Sequence, residues 1–396
     1  MEGRRSLSPL VAVGFALFTD AFLYEVVIPL APLSPAGITS TSDIASLYCA
    51  YALGVVLLTP LCGIVSDRIG RKNPLIVGAI AQLIATFIFA SAGSYWILML
   101  ARIIQGGASS AAWTAGLAVI AERYPNQRVQ KMGLAMLGTT MGALMAPLAG
   151  GALYDMGGYL APFWVSGLIA FVDLILRLTL IPHDQNHIAV PNAMPVLFRN
   201  RAVLAAALVA ALIACGWGLI EPDVPAFLID KAGASSTVVG LLFTLSGVAY
   251  GLAATPVERL TEWFGRRFAI SLGLTIMAVG MPFLVIYPSV ILVGTALCLV
   301  TIAYACAMNP LLTELADAVD RCAAGAYASV YAIFNIAYAI GTLIGGVVAG
   351  PVASHFSVLT ASLSIGVILL LSLPLLRWGL ISVSAAPARQ TRADKA

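Results

Sequence analysis

Four carboxyl groups stand inside or at the ends of long apolar runs: Asp20, Glu25, Glu221 and Asp223. An ionisable side chain at membrane depth is expensive, and it marks an ion path or a proton relay by default. A carboxyl taken out of water holds its proton more tightly, which suits it to load and release protons. Asp20 lies near the middle of its run and ranks first as a proton or cation site, followed by Glu221, Glu25 and Asp223. Tyr24 is one turn beyond Asp20, on the same helical face, whereas Glu25 points elsewhere. Asp223 is about 200° around a helix from Glu221, so both line one cavity only if the helix breaks. Pro222 and Pro225 would supply that break. Around these acids, Trp113, Trp217, Tyr304, Tyr331, Phe334 and Tyr338 offer faces on which a planar or cationic ligand can stack. Asn335 is a polar group at the same depth.

The elements that must carry these groups follow from composition. Of 396 residues, 60% are hydrophobic and 10% charged. A soluble domain carries about 25% charged residues, so a soluble enzyme or a disordered chain is excluded. A net charge of +3 is too small to indicate a nucleic-acid partner. Six cysteines without CxxC spacing read as small apolar residues, and no metal ligand set or cofactor motif is expected. No HExxH, GxSxG or Walker pattern points to an enzyme. Breaking the chain at charges and Pro/Gly clusters leaves twelve apolar runs, from 9–31 to 357–380, each near the 20 or so residues a spanning helix needs. The first run is too long for a signal peptide and is kept as a span. The expected fold is an all-α polytopic membrane protein of twelve transmembrane helices in two six-helix bundles. Its expected parts are residues 1–182, a central loop 183–201 with His183, Asp184, His187 and Pro191, residues 202–380, and a tail 381–396. With both termini cytoplasmic, 18 of the 21 Lys and Arg residues fall on the cytoplasmic side, as the positive-inside rule requires.

The two halves repeat. Gly63-x-x-x-Asp67-Arg68-x-Gly70-Arg71-Lys72 follows the second run, and Glu258-Arg259-x-x-Glu262-x-x-Gly265-Arg266-Arg267 follows the eighth; Gly70 and Gly265 are 195 positions apart (265 − 70). Glu25 and Glu221, each four residues before a proline, are 196 apart (221 − 25). Parallel six-helix repeats with a site between them are a transporter architecture. Within the first cluster, Asp67 suits the orphan amides of a helix N-terminus, and Arg68 and Arg71 suit acids on neighbouring spans. Arg102, in Arg102-Ile-Ile-Gln105-Gly106, lies in the fourth run. It either faces the bundle interior or snorkels to the nearer end. Gly138, Gly142 and Pro147 of the fifth run make a groove for another helix and a bend, and Gly341, Gly345, Gly346 and Gly350 repeat the groove in the eleventh. Asp173 and Arg177, four apart, are expected to pair as a structural element.

Over essentially its full length the chain resembles the major facilitator superfamily. The resemblance is carried by the Gly63–Lys72 cluster, by Arg102–Gly107 and by the glycine-rich fifth span with Pro147. Within the superfamily it is similar to the drug:proton antiporter branch, in particular to vesicular amine transporters and related microbial exporters. The residues that carry this are Phe18-Thr19-Asp20 leading to Val26–Pro29, Gly218–Pro222 and Ser329–Ile333. Tyr51 stands near where the vesicular carriers have a lysine, and Met308 and Asn335 stand where they have acids. What the resemblance implies is a latch at Gly63–Arg71, proton coupling through Arg102, and exchange of substrate for protons. The expected function is therefore a proton-coupled antiporter that exports amphipathic, cationic small organic compounds or drugs. It would work as a monomer in the cell (inner or plasma) membrane, without a cofactor. The alternatives are an exporter of an endogenous metabolite or toxin, acidic or neutral, and a non-transporting membrane protein.

Overall fold

The computed structural model describes residues 2–26, 41–91, 93–182, 193–234, 236–322, 326–355, 357–374 and 376. His183, Asp184, His187 and Pro191 of the central segment and the tail 381–396 lie outside the described residues, as do the side chains of Pro147, Glu221, Pro222 and Pro225. Among the described residues there are twelve principal helices. The first six are α1 (Glu2–Glu25), α2 (Thr41–Ile69), α3 (Lys72–Ser91), α4, α5 (Arg128–Gly157) and α6 (Leu160–Leu180). Of these, α4 runs as Tyr95–Ala111, a π-helical turn Ala112–Gly116, and Leu117–Arg123. After a single turn at Met194–Leu197 come α7 (Arg201–Asp230), α8 (Ser236–Phe264), α9 (Arg266–Gly280, extended by a 3₁₀ turn Met281–Leu284), α10 (Val290–Cys322), α11 (Tyr327–His355) and α12 (Val358–Leu371). Ten of the helices are long and apolar enough to cross a bilayer, all but α5 and α12. The outer surface is apolar to a degree water would not tolerate: Ile291 is 81% and Trp96 75% exposed. Polar side chains such as Asp20, Arg102 and Asn309 are buried instead. The protein is an integral membrane protein with an all-helical fold.

Small residues decide which helices meet. In a bilayer, packing rather than water exclusion drives helices together, so glycine faces are where backbones approach. A Cβ at Gly138 would lie 2.0 Å from the Gly14 carbonyl oxygen, and one at Gly142 2.2 Å from that of Phe18, so α5 lies backbone to backbone on α1. In the second half, a Cβ at Gly341 would lie 2.1 Å from the Ala211 oxygen and one at Gly345 2.2 Å from that of Cys215, which seats α11 on α7 in the same way. The expected groove thus has a definite occupant in each half. Gly142→Ala is expected to destabilise the protein by about 1–3 kcal/mol, because the obstruction is backbone and cannot rotate away. Thermal unfolding in detergent checks this. Gly151→Ala on the same helix, with nothing within 4 Å of its Cβ, should change little.

The halves meet along two symmetric contacts, α2 with α11 and α5 with α8. A Cβ at Gly63 would sit 2.9 Å from the Ala332 Cβ, and one at Gly251 2.9 Å from Leu137 Cδ2. The Gly251 contact lies midway along α8, and the Gly63 contact lies toward the end of the molecule that carries the Gly70 and Gly265 turns, called the basic end below. Those two glycines hold φ of 92° and 84°, a left-handed conformation that a side chain would strain. One expectation fails here. α7 is continuous from Arg201 to Asp230, with no break at Pro222 or Pro225. Helices in a bundle tolerate proline where neighbours satisfy the freed carbonyls.

Candidate functional site

Asp20 lies in the last third of α1, and donors from three other helices converge on it. From α2, the Tyr51 hydroxyl lies 3.3 and 3.4 Å from the two carboxyl oxygens. From α3, Gln82 Nε2 donates to Oδ1 at 3.2 Å. From α4, Ser109 Oγ and Trp113 Nε1 donate to Oδ2 at 2.7 and 3.0 Å. The side chain is buried. An ionised carboxyl only accepts hydrogen bonds, so a ring of donors fits the charged form. Gln82 also keeps a buried Oε1 without a hydrogen-bond partner among the described residues. The π-helical turn of α4 contains Trp113, and Thr114 Oγ1 takes up the Ser110 carbonyl there at 2.6 Å. Such turns are rare in helices and concentrate where function requires a side chain to be re-aimed.

Arg102 is fully buried, so it faces the interior and does not snorkel. Its Nη1 donates to Gln105 Oε1 at 2.8 Å and its Nη2 to the Tyr24 carbonyl at 3.1 Å. Gln105 Nε2 donates to the Leu23 carbonyl at 3.2 Å. The pair thus holds the last carbonyls of α1, where a cation complements the helix dipole. The guanidinium lies 5.4 Å from the centre of the Tyr24 ring and 5.9 Å from that of Tyr51. The Tyr24 and Tyr51 rings touch each other with centroids 4.6 Å apart. Asp173 and Arg177 form the expected buried pair on α6, at 2.5 and 3.1 Å, and Arg177 also donates to the Leu75 carbonyl.

The second half presents aromatic rings. Trp217 on α7 lies 5.3 Å from Tyr304 on α10, and Tyr304 lies 5.8 Å from Tyr250 on α8. The Tyr304 and Tyr338 hydroxyls share a hydrogen bond of 3.2 Å. Tyr338 stacks on Trp113 of the first half with centroids 6.3 Å apart. The described structure therefore brings Asp20, Trp113, Tyr338, Tyr304 and Trp217 into one chain of contacts across the two halves.

Other candidates fall elsewhere. Tyr331 is fully buried and donates to the Leu312 carbonyl on α10 at 3.1 Å. Phe334 is also fully buried, with its ring centre 5.9 Å from that of Tyr338. Asn335 spans the halves, donating to Thr59 Oγ1 at 3.4 Å, and Thr59 bonds Ser110 at 2.8 Å. Tyr24 and Glu25 are half-buried near the end of α1. Asp223 is half-buried, with Oδ2 unpartnered among the described residues. Sequence reasoning missed Gln82 and Ser109 and gave Tyr51 no role at the carboxyl. The one available signal was a glutamine inside an otherwise apolar third run.

At the basic end Asp67 caps α11 of the other half, accepting from the amides of Ala328 and Ser329 at 3.0 and 2.8 Å. Arg71 donates to Asp67 at 2.5 Å and to Glu122 on α4 at 2.6 and 3.0 Å. Burial works against the charge on Arg71, but the carboxylates of Glu122 and Asp67 outweigh it and raise the guanidinium's hold on its proton. Arg68 is exposed. The second half repeats the clip, with Arg266 on Glu314 at 2.9 Å and on Asp317 at 2.5 Å. A further tie, unforeseen from sequence, joins Arg128 of α5 to Asp317 and Asp320 of α10.

Comparison with known proteins bears on the family and the fold. The family model described as Major Facilitator Superfamily matches residues 10–212 and again 206–395, one match for each half. The chain is 30% identical over 387 residues to the probable vesicular acetylcholine transporter-B of Danio rerio, covering 93% of this chain and 78% of that one. It is 28% identical over 339 residues to the synaptic vesicular amine transporter of Bos taurus, covering 84% and 65%. Among solved structures it resembles the human organic anion transporter MFSD10 (TETRAN), with a TM-score of 0.78, 17% identity and coverage of 94% and 99%. At that identity the likeness concerns the fold. Family and fold make this a membrane transporter and not an enzyme, and the chain belongs to the Major Facilitator Superfamily.

Proposed function

We propose that the protein is a proton-coupled antiporter for amphipathic organic cations, in which a proton and the substrate compete for Asp20. The observation that carries this is a buried carboxyl ringed by four donor side chains, linked through Trp113 to aromatic rings of the other half. A carboxylate beside π faces is the chemistry that binds an organic ammonium. The names of the vesicular acetylcholine and amine transporters it resembles support the same class. In this reading residues 1–182 and 202–380 rock against each other about the midplane, with 183–201 as the connection and the basic end in the cytoplasm. Glu221 is the second proton site, and Glu25 and Asp223 face the outer vestibule. The protein works as a monomer in the cell membrane and exports its substrate, drugs included.

The test is uptake into proteoliposomes with an acid interior, using quaternary ammonium compounds, protonated monoamines and organic anions in parallel. At least one cation should accumulate about tenfold over protein-free vesicles, a bias of about 1.4 kcal/mol. Accumulation confined to organic anions would overturn the substrate class and favour an exporter of acidic metabolites.

A further inference from the structure

We infer that Trp113 is the side chain that transmits the charge state of Asp20 from the first half to the second. The inference rests on the proton reading of Asp20 given above. Of the four side chains that donate to Asp20, Trp113 is the one whose ring stacks on the other half. Its Nε1 lies 3.0 Å from Asp20 Oδ2, and its ring lies over Tyr338 of α11, with centroids 6.3 Å apart and planes at 22°. Behind Tyr338 stand Tyr304 on α10 and Trp217 on α7. The π-helical turn that carries Trp113 is itself packed against α11.

The chemistry of the indole makes it a reader of charge. Its N–H donates and cannot accept, whereas Tyr51 and Ser109 can turn their hydroxyls and Gln82 has its unused Oε1. A bond from N–H to an ionised carboxyl is about twice as strong as one to a neutral acceptor. When Asp20 takes a proton from water, the three adaptable partners can adjust. The indole loses the charge that held it, and with it the reason to lie at this angle on Tyr338. When the proton returns to water on the other side, the bond and the stack re-form. No other group need change its charge. The titratable and charged groups around Asp20 and Trp113 are Tyr24 on α1, Tyr51 on α2, Arg102 on α4, Arg177 with Asp173 on α6, and Tyr338 on the other half with Tyr304 behind it.

The experiment reads the basic end. In a cysteine-free protein carrying Ser329→Cys, which is buried there, labelling by a membrane-impermeant maleimide is measured in proteoliposomes at acid and alkaline pH. Divided by the rate of the same thiol in the denatured protein at the same pH, which removes the change in thiolate fraction, the labelling rate of the parent should change about tenfold between the two, and that of Trp113→Phe, which keeps a ring but loses the donor, less than about twofold. Tyr338→Leu, which keeps the donor but loses the stack, should be equally flat. It carries the test if Trp113→Phe does not fold. Asp20→Asn should be flat as well. If Asp20→Asn is flat while Trp113→Phe and Tyr338→Leu respond like the parent, the role given to Trp113 is overturned and the proton site stands. If Asp20→Asn responds like the parent, the proton reading falls, and this inference with it.

Discussion

Asp20→Asn should lower pH-gradient-driven accumulation of substrate at least about a hundred-fold. Removing one partner from a buried charged network costs about 3–5 kcal/mol, and each 1.4 kcal/mol is a factor of ten. The amide has nearly the shape of the carboxyl, so packing around α1 survives, but two things are lost. It cannot bind and release a proton, so the link between proton and substrate movement is gone. It also carries an NH₂ in place of one oxygen: on the Oδ2 side this meets the Trp113 N–H, which cannot accept, and on the Oδ1 side Gln82 must turn its Oε1 to receive it. Asp20→Glu keeps the charge but moves it by a methylene into the same ring, so it should recover part of the activity. The measurement is uptake into proteoliposomes at matched protein density, with gel filtration to show that each variant is folded. Accumulation in Asp20→Asn within about threefold of the parent would remove Asp20 from the mechanism and shift attention to Glu221.

What could be read from the residues and what could not divide along a physical line. Sequence patterns report what a residue is and how far it lies from others along one helix. Asp20 was legible because a charge in an apolar run is costly wherever it packs. The glycine faces of α5 and α11 were legible because small residues at helical spacing make a groove whatever fills it. The partners were not, since nothing in Gly138 or Gly142 names Gly14 and Phe18 as the atoms they touch. Gln82, Tyr51 and Ser109 come together on Asp20 from three helices, over separations of 31 to 89 residues, and each alone is an ordinary polar residue. Asp67 was expected to meet the amides of a helix N-terminus, and it does, but of a helix in the other half. The Arg128 tie to Asp317 and Asp320 was hidden because arginines near membrane ends are accounted for by topology alone. The π-helical turn at Trp113 left no mark in residue types, because an extra residue in a turn is a matter of backbone register.

Asp67→Ala should open the basic end. Asp67 is nearly fully buried and holds two amides of α11 and the guanidinium of Arg71, all charge-assisted bonds. It belongs to the first half and the amides to the second, so these bonds exist only while the halves are closed here. Deleting the carboxyl leaves the first amides of α11 without their acceptor and one side of Arg71 without its partner. The loss expected for a buried charged partner, about 3–5 kcal/mol, falls mainly on the closed state. In an open state the amides and the arginine would meet water. The balance should therefore move toward opening by about a hundred-fold or more. Arg71 still has Glu122 on α4, so the first half keeps its own clip and should remain folded. Asp67→Asn retains one acceptor oxygen without the charge and should lie between the parent and Asp67→Ala. Adding Arg128→Ala, which removes the second tie between halves, should open the end further, since the two ties close the same gap from α2 and from α5. The readout is maleimide labelling of Ser329→Cys in the cysteine-free protein, slow in the parent and at least about tenfold faster in Asp67→Ala. Labelling unchanged in Asp67→Ala would mean that Gly63 against α11, the α5–α8 contact and the Arg128 tie hold the closed state without it. In that case the carboxyl would be a helix cap and not a latch.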